Sequence, residues 1–248
     1  MWAFLYKLGS PRYFYELTGR WLPWIIALML LLFAYGLIGG LWLAPADYQQ
    51  GDAFRIIYVH VPSALLSMGI YTYLTFCAVL SLVWRIKIAD IMIKVSAPIG
   101  AWMCFLSLFT GAVWGKPMWG TWWIWDARLT SQLILLFIYI AIIALQNSLS
   151  KNSQGHRAVS IFVIVGFIDI PIIHYSVYWW NTLHQGATIT RFAKPAISGE
   201  MLYPLLAMLA AFFCYFLAVA FLKARNELLL RDKNTAWVNE IVFKGAKL

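Results

Sequence analysis

Three histidines, His60, His174 and His184, lie at the ends of apolar stretches or between them, where imidazole can bind a metal ion. His60 begins one apolar stretch, His174 ends another, and His184 lies in the polar segment that follows. Neutral imidazole is a common ligand of transition metals, and one imidazole on each face of a planar macrocycle supplies two axial ligands. We interpret all three as candidate ligands, and the residues alone do not choose between His174 and His184.

A segment rich in tryptophan covers residues 114–130. Its five indoles are Trp114, Trp119, Trp122, Trp123 and Trp125. An aromatic belt at a membrane surface explains one or two tryptophans better than it explains this density. Gly115, Pro117 and Gly120 are expected to interrupt a regular helix, so we predict a shaped loop over this segment. Rigid indoles offer a large, flat apolar area at small entropic cost, which suits a planar apolar ligand.

Cationic side chains occur in the same polar segments, at Arg55, Arg128, Arg191 and Lys194. Guanidinium and ammonium groups are suited to carboxylates. An apolar plane, indoles around it, cations at its edge and imidazoles on both faces together describe a haem-sized pocket. The cysteines are Cys77, Cys104 and Cys214, and none belongs to a C-x-x-C-H haem-attachment sequence. We therefore expect any haem held here to be bound without a covalent link to this chain, as haem b.

The composition indicates an integral membrane protein that would position these residues at the ends of helices. The chain is 62% hydrophobic and 12% charged, with a mean hydropathy of +0.74, whereas soluble domains are about a quarter charged. A helix needs about 20 apolar residues to cross a bilayer. The stretches of about this length are 22–43, 61–84, 95–114, 129–146, 159–175 and 202–222. We predict an all-α integral membrane protein, a single domain over residues 1–248 with six transmembrane helices.

The distribution of positive charge predicts which way these helices face. Fourteen of the nineteen Lys and Arg residues fall on the side of the N-terminus, and five fall on the other side. Cytoplasmic loops carry an excess of Lys and Arg, so both termini are predicted to be cytoplasmic, including the tail 223–248. The loops 44–60, 115–128 and 176–201 then face outward. The net charge of +9 is explained by these loops, and we expect no nucleic-acid partner.

Two residues near the outer end of the fifth span, Asp169 and Pro171, are unusual inside a membrane helix. Pro171 is expected to kink that span or end it early. Asp169, as an acid inside a span, is a functional candidate by default. It lies close to the outer edge of the span and beside Pro171, so we favour a structural role for it.

The tryptophan-rich segment also carries a family resemblance. Residues 119–130 (WGTWWIWDARLT) match the signature of the WWD haem-handling membrane proteins. The flanking segments 45–50, 55–62, 173–176 and 179–186 resemble one branch of them, the haem exporter protein C (CcmC) family of the bacterial cytochrome c maturation system. The resemblance covers nearly the whole chain. It implies a six-helix protein of the bacterial inner membrane that handles haem and is not an enzyme.

The resemblance also implies roles for individual residues. His60 and His184 would be the axial haem ligands, and the loop 114–130, with Asp126 and Arg128, would cradle the porphyrin on the periplasmic side. Asp47, Gln50 and Arg55 would help to engage the periplasmic haem chaperone CcmE. An ABC transporter made of CcmA and CcmB, with the small membrane protein CcmD, would release the loaded chaperone. The chain has no G-x-x-x-x-G-K-[ST] sequence, so ATP hydrolysis is expected on another subunit.

Two other classes of protein compete with this interpretation. A membrane cytochrome that exchanges electrons with quinone usually carries several histidines in mid-membrane, whereas these lie near the ends of spans or in loops. In a channel or permease the tryptophans would be merely interfacial. A co-purifying haem would exclude the permease, and failure of quinone to reoxidise that haem would argue against the cytochrome. Whether the chain itself moves haem across the bilayer is left open by the sequence.

Overall fold

The computed structural model describes residues 9–149, 153–180, 182, 184 and 197–245. Its helices, in chain order, are α1 (Pro11–Ile38), α2 (Ile57–Trp84), α3 (Lys87–Trp119), α4 (Ala127–Leu149), α5 (Ser153–Gly166), α6 (Asp169–Trp179), α7 (Gly199–Arg231) and α8 (Ala236–Gly245). A π-helical turn, Gly39–Leu43, extends α1, and a 3₁₀ helix, Asp52–Ile56, leads into α2. In the part of the chain that the structure describes, the regular structure is helical.

Among the described residues, six helical segments are long and apolar enough to cross a membrane, which confirms the predicted number. They are Pro11–Leu43, Asp52–Trp84, Lys87–Trp119, Ala127–Leu149, Ser153–Trp179 and Gly199–Arg231. Several of them extend beyond the predicted apolar stretches, because polar and charged residues continue a helix past the hydrocarbon region. Thus α3 begins at Lys87, eight residues before the apolar stretch that predicted it.

The expected helix break at Gly115 and Pro117 is wrong. α3 runs through both residues and ends at Trp119, and Gly120 follows with a positive φ of 76°. Pro117 lies in the last turn, where the loss of one N–H removes a single helical hydrogen bond near the fraying end. Gly115 allows a close contact with Trp119 and does not bend the helix, because a Cβ at this position would lie 2.9 Å from Cε3 of Trp119. The irregular part of the tryptophan-rich segment is therefore only 120–126.

The fifth span is interrupted, as Pro171 predicts. α5 ends at Gly166 and α6 begins at Asp169. Pro171 has no N–H to offer the carbonyl of Phe167, which instead accepts a hydrogen bond of 3.1 Å from the N–H of Ile170. The break therefore falls a full turn before the proline.

The helices pack as a bundle with α3 near its centre. α3 contacts α2, α4 and α7, while α1 lies along α7 and exposes most of its surface. Buried hydroxyl groups join helices through backbone carbonyls: Tyr139 donates to Ser67 at 2.6 Å and Tyr71 donates to Val163 at 3.0 Å. Because hydrocarbon provides no partner for polar groups, such bonds hold helices in register. The same packing brings the starts of α2 and α4 to the ends of α3 and α6.

The predicted cytoplasmic tail is largely helical. Its first residues continue α7 to Arg231, and α8 follows after a short turn. Trp237 of α8 packs on Tyr15 of α1, with ring centroids 5.8 Å apart. The tail therefore folds back onto the first helix.

Candidate functional site

A cavity of about 210 Å³ opens at one end of the bundle, where α2 and α4 begin and α3 and α6 end. Most of its wall is apolar. The polar and aromatic side chains in the wall include His60, His174, His184, Trp114, Trp119 and Arg128. Residues that are far apart in sequence therefore meet at one site. A concave apolar pocket with a few convergent polar groups is the usual form of a small-molecule site.

His60 is held by α3. Its Nδ1 lies 3.1 Å from the carbonyl oxygen of Ser107 and 3.1 Å from Oγ1 of Thr110, whose own hydroxyl donates to Leu106 at 2.7 Å. A carbonyl can only accept, so this hydrogen-bond network assigns the hydrogen to Nδ1 and leaves the lone pair of a neutral imidazole on Nε2. Metal-binding histidines are commonly fixed in this way by a partner on the other ring nitrogen. Trp114 packs edge-on against the same ring at 5.6 Å.

His184 faces His60 across a short gap. Their ring centroids are 6.3 Å apart, and the ring planes are inclined by 35°. Two imidazoles that bind one metal ion from opposite sides, each at about 2 Å, have ring centres roughly 6 Å apart. The pair therefore has the spacing for one metal ion between the rings.

His174 lines the same cavity but is more exposed than either member of this pair. Its ring packs edge-on against Tyr175, with centroids 4.8 Å apart. The structure thus gathers all three candidate histidines at one site. The close ring pair consists of His60 and His184, which is the pair that the family resemblance indicated.

The five tryptophans of the segment divide into two groups. Trp114 and Trp119, both on α3, line the cavity. Trp122, Trp123 and Trp125 lie outside the cavity lining as far as the described residues define it. Trp122 is 57% exposed and Trp125 is 74% exposed. The division follows from the length of α3, because its last turns carry the first two indoles along the cavity wall and the chain leaves the helix before the others.

Asp126 and Arg128 lie at the start of α4 and have different surroundings. Oδ1 of Asp126 accepts a hydrogen bond of 2.7 Å from the N–H of Leu129, which caps the helix. Its Oδ2 accepts a hydrogen bond from the hydroxyl of Thr182, and this hydroxyl accepts the N–H of His184 at 3.1 Å. Arg128 lines the cavity and donates to the carbonyl of Ile173 at 3.1 Å.

The three residues that the resemblance implies for partner binding, Asp47, Gln50 and Arg55, also have different surroundings. Oδ1 of Asp47 accepts the N–H groups of Gln49 and Gln50 at 2.9 and 2.8 Å, which shapes the first loop. Gln50 lines the cavity, and its Oε1 accepts the indole N–H of Trp114 at 3.0 Å. Arg55 donates to Asp52 at 2.9 Å and to the carbonyl of Gly40 at 2.8 Å. Arg191 and Lys194 lie outside the described residues.

Several residues of the site were missed from the sequence. Ser107 and Thr110 orient His60, and Thr182 contacts His184. Gln50 was predicted only as a partner-binding residue, and its place in the cavity wall was not foreseen. Thr182 stands two residues before His184, which was the one local signal available. The others are brought to the histidine by helix packing and carry no pattern of their own.

The fold and the site define an all-helical membrane protein with six apolar spans and a histidine-lined cavity at one end of the bundle. The family model described as Heme exporter protein C matches residues 4–239. The Heme exporter protein C of Haemophilus influenzae is 47% identical over 241 residues, which cover 97% of this chain and 98% of that protein. The Escherichia coli K12 protein of the same name is 44% identical over 247 residues, covering 100% of both chains. The chain belongs to the Heme exporter protein C family.

Proposed function

We propose that this protein binds haem at the periplasmic face of the bacterial inner membrane and delivers it to the haem chaperone CcmE. Family membership supports a role in haem export for cytochrome c maturation, and it supports a transport or handling protein rather than an enzyme. The observation that carries the proposal for the site is the pair of imidazoles, His60 and His184, whose ring centroids lie 6.3 Å apart in the wall of an apolar cavity.

The described residues suit haem as a cargo that is held and then released. His60 presents Nε2 to the cavity because its Nδ1 is engaged by α3, and His184 stands opposite. Two imidazoles of this kind give bis-imidazole ligation of haem iron. Trp114 and Trp119 supply flat apolar walls. The cysteines Cys77, Cys104 and Cys214 are all buried, which supports a haem b held without thioether bonds.

Arg128 is the proposed partner of a haem propionate. It lines the cavity and uses one nitrogen, Nη1, to hold the carbonyl of Ile173. A guanidinium group has five N–H donors, so donors remain for a carboxylate. A charged hydrogen bond of this type contributes about 1.5–3 kcal/mol. Arg55, another cation that the sequence offers for a carboxylate, already donates through Nε and Nη1 to Asp52 and Gly40.

The charge distribution supports the proposed orientation, with both termini cytoplasmic and the cavity outside. Reporter fusions near Gln50 and Gly120 should be exposed to the periplasm, and a fusion near Asp90 should be cytoplasmic. A periplasmic signal at Asp90 would overturn this orientation and the proposed side of the cavity.

CcmE is proposed to dock on the first outer loop, with Asp47, Gln50 and Arg55, beside the mouth of the cavity. Tyr48 at the tip of this loop is 91% exposed, which makes it accessible to a partner. In the proposed pathway CcmA and CcmB, with CcmD, supply ATP hydrolysis and release the loaded chaperone.

The central experiment compares haem content and spectra of single variants of the purified full chain. His60→Ala and His184→Ala should each lower bound haem or shift its Soret band. His156→Ala is the matched control, because His156 lies in α5 and does not line the cavity. If His174→Ala changed the spectrum and His184→Ala did not, the assigned ligand pair would be wrong. Reoxidation of the bound haem by quinone would point instead to an electron carrier.

A further inference from the structure

We propose that Asp126 and Thr182 are positioning residues that hold His184 at the cavity. This inference rests on the proposed function of the site and assigns Asp126 a role that needs no contact with haem. Asp126 lies outside the cavity lining, although it belongs to the tryptophan-rich signature.

The two carboxylate oxygens of Asp126 serve different partners. Oδ1 accepts the N–H of Leu129 at 2.7 Å and thereby caps α4. Oδ2 accepts the hydroxyl hydrogen of Thr182. The Thr182 oxygen in turn accepts the backbone N–H of His184 at 3.1 Å. A hydroxyl can donate one hydrogen bond and accept others, so this chain of bonds is chemically consistent throughout.

The chain of hydrogen bonds begins at the start of α4, which is held in place by packing and by a hydrogen bond to α6. α4 packs against α3, and Arg128 ties its first turn to the carbonyl of Ile173 in α6. His184, by contrast, lies beyond the end of α6 at Trp179. His60 is oriented by groups on a packed helix, whereas the backbone of His184 is connected to the helical bundle through Thr182 and Asp126. The geometry of the imidazole pair therefore depends on these two residues.

The test uses the purified full chain with bound haem, four variants at Thr182 and Asp126, and His184→Ala as the reference for a lost ligand. Thr182→Val removes the hydroxyl with little change of shape, and Thr182→Ser keeps it. Asp126→Ser retains an oxygen that can cap α4 but is too short to reach Thr182 as well, whereas Asp126→Ala removes both functions. The readouts are the coordination and spin state of the haem iron by absorption and electron paramagnetic resonance, haem per chain, and the response to free imidazole.

We expect Thr182→Val and Asp126→Ser to lose the six-coordinate, low-spin signature and to bind haem roughly three- to tenfold more weakly, as the loss of one or two hydrogen bonds implies. Free imidazole should restore the signature in both variants, as it should in His184→Ala. Thr182→Ser should resemble the unmodified protein. Restoration by imidazole also demonstrates that the pocket has folded.

Three results would overturn the inference. The first is an unchanged spectrum in Thr182→Val while His184→Ala is altered. The second is a normal Asp126→Ser beside a defective Asp126→Ala, which would leave Asp126 as a helix cap alone. The third is a loss of haem in Thr182→Val that imidazole does not restore. Failure of the proposed function gives a different result, because the unmodified protein itself would then lack imidazole-ligated haem.

Discussion

Replacing Gly111 with alanine should weaken haem binding without destabilising the fold. Gly111 lies on α3 in the cavity wall, and an added Cβ would be 3.1 Å from Cε1 of His60. Carbon atoms in good contact are about 3.5–4.0 Å apart, so the imidazole would have to move by roughly half an ångström. Ser107 and Thr110 hold its Nδ1 at 3.1 Å, and the movement would stretch these bonds and turn Nε2 away from its position.

The magnitude follows from the two opposing effects of the added methyl group. Overpacking of this kind costs about 1–3 kcal/mol, and each 1.4 kcal/mol corresponds to a factor of ten in affinity. If the cost falls on the ligand geometry, haem affinity should decrease roughly 5- to 150-fold. Alanine is favoured over glycine inside a helix by about 0.5–1 kcal/mol, so the stability of the haem-free protein should change little.

The assay measures haem affinity by titration, the Soret spectrum and the thermal unfolding midpoint of the haem-free protein in detergent. Gly69→Ala is the matched control, because Gly69 lies on α2 and a Cβ there would meet nothing within 4 Å. Haem affinity of Gly111→Ala within twofold of the unmodified protein, with an unchanged spectrum, would refute the reasoning. An equal loss in both glycine variants would also refute it, since the contact with His60 would then not be the cause.

Three further predictions concern other residues of the site and bundle. Arg128→Ala should lower haem affinity about tenfold or more, because a charged hydrogen bond to a propionate is lost. Arg55→Ala should mainly loosen the first loop. Equal losses of haem affinity in the two variants would contradict the assignment of Arg128 to the propionate. Gln50→Ala should lower haem affinity about two- to tenfold, because the indole N–H of Trp114 loses its acceptor. Gln49→Ala, at an exposed neighbouring residue, is the control. An unchanged haem affinity would leave Gln50 with a docking role alone. Asp169→Asn should not lower the thermal unfolding midpoint, because Oδ2 of this buried acid has no hydrogen-bond partner in the described structure. A clear decrease of the midpoint would show that the carboxylate charge has a partner.

Local sequence patterns predicted features that depend on one segment alone. Pro171 predicted an interruption of the fifth span because its missing N–H acts within one helical turn, and α5 and α6 are separated there. The same kind of reasoning failed at Gly115 and Pro117, where α3 continues to Trp119. Helix-breaking tendencies cost only a few kcal/mol at most, and Pro117 costs less than usual because it removes a single hydrogen bond from the last turn of the helix.

The composition and spacing of the sequence determined the membrane class and the six spans, because the transfer of about 20 apolar residues into a bilayer depends on the residues themselves. Only the tertiary structure decided which side chains share the cavity. It paired His60 with His184, brought Gln50 to Trp114, and left Trp122 and Trp125 exposed. These distances join segments up to more than a hundred residues apart, and they are set by how α2, α3, α4 and α6 pack rather than by any pattern within a single segment.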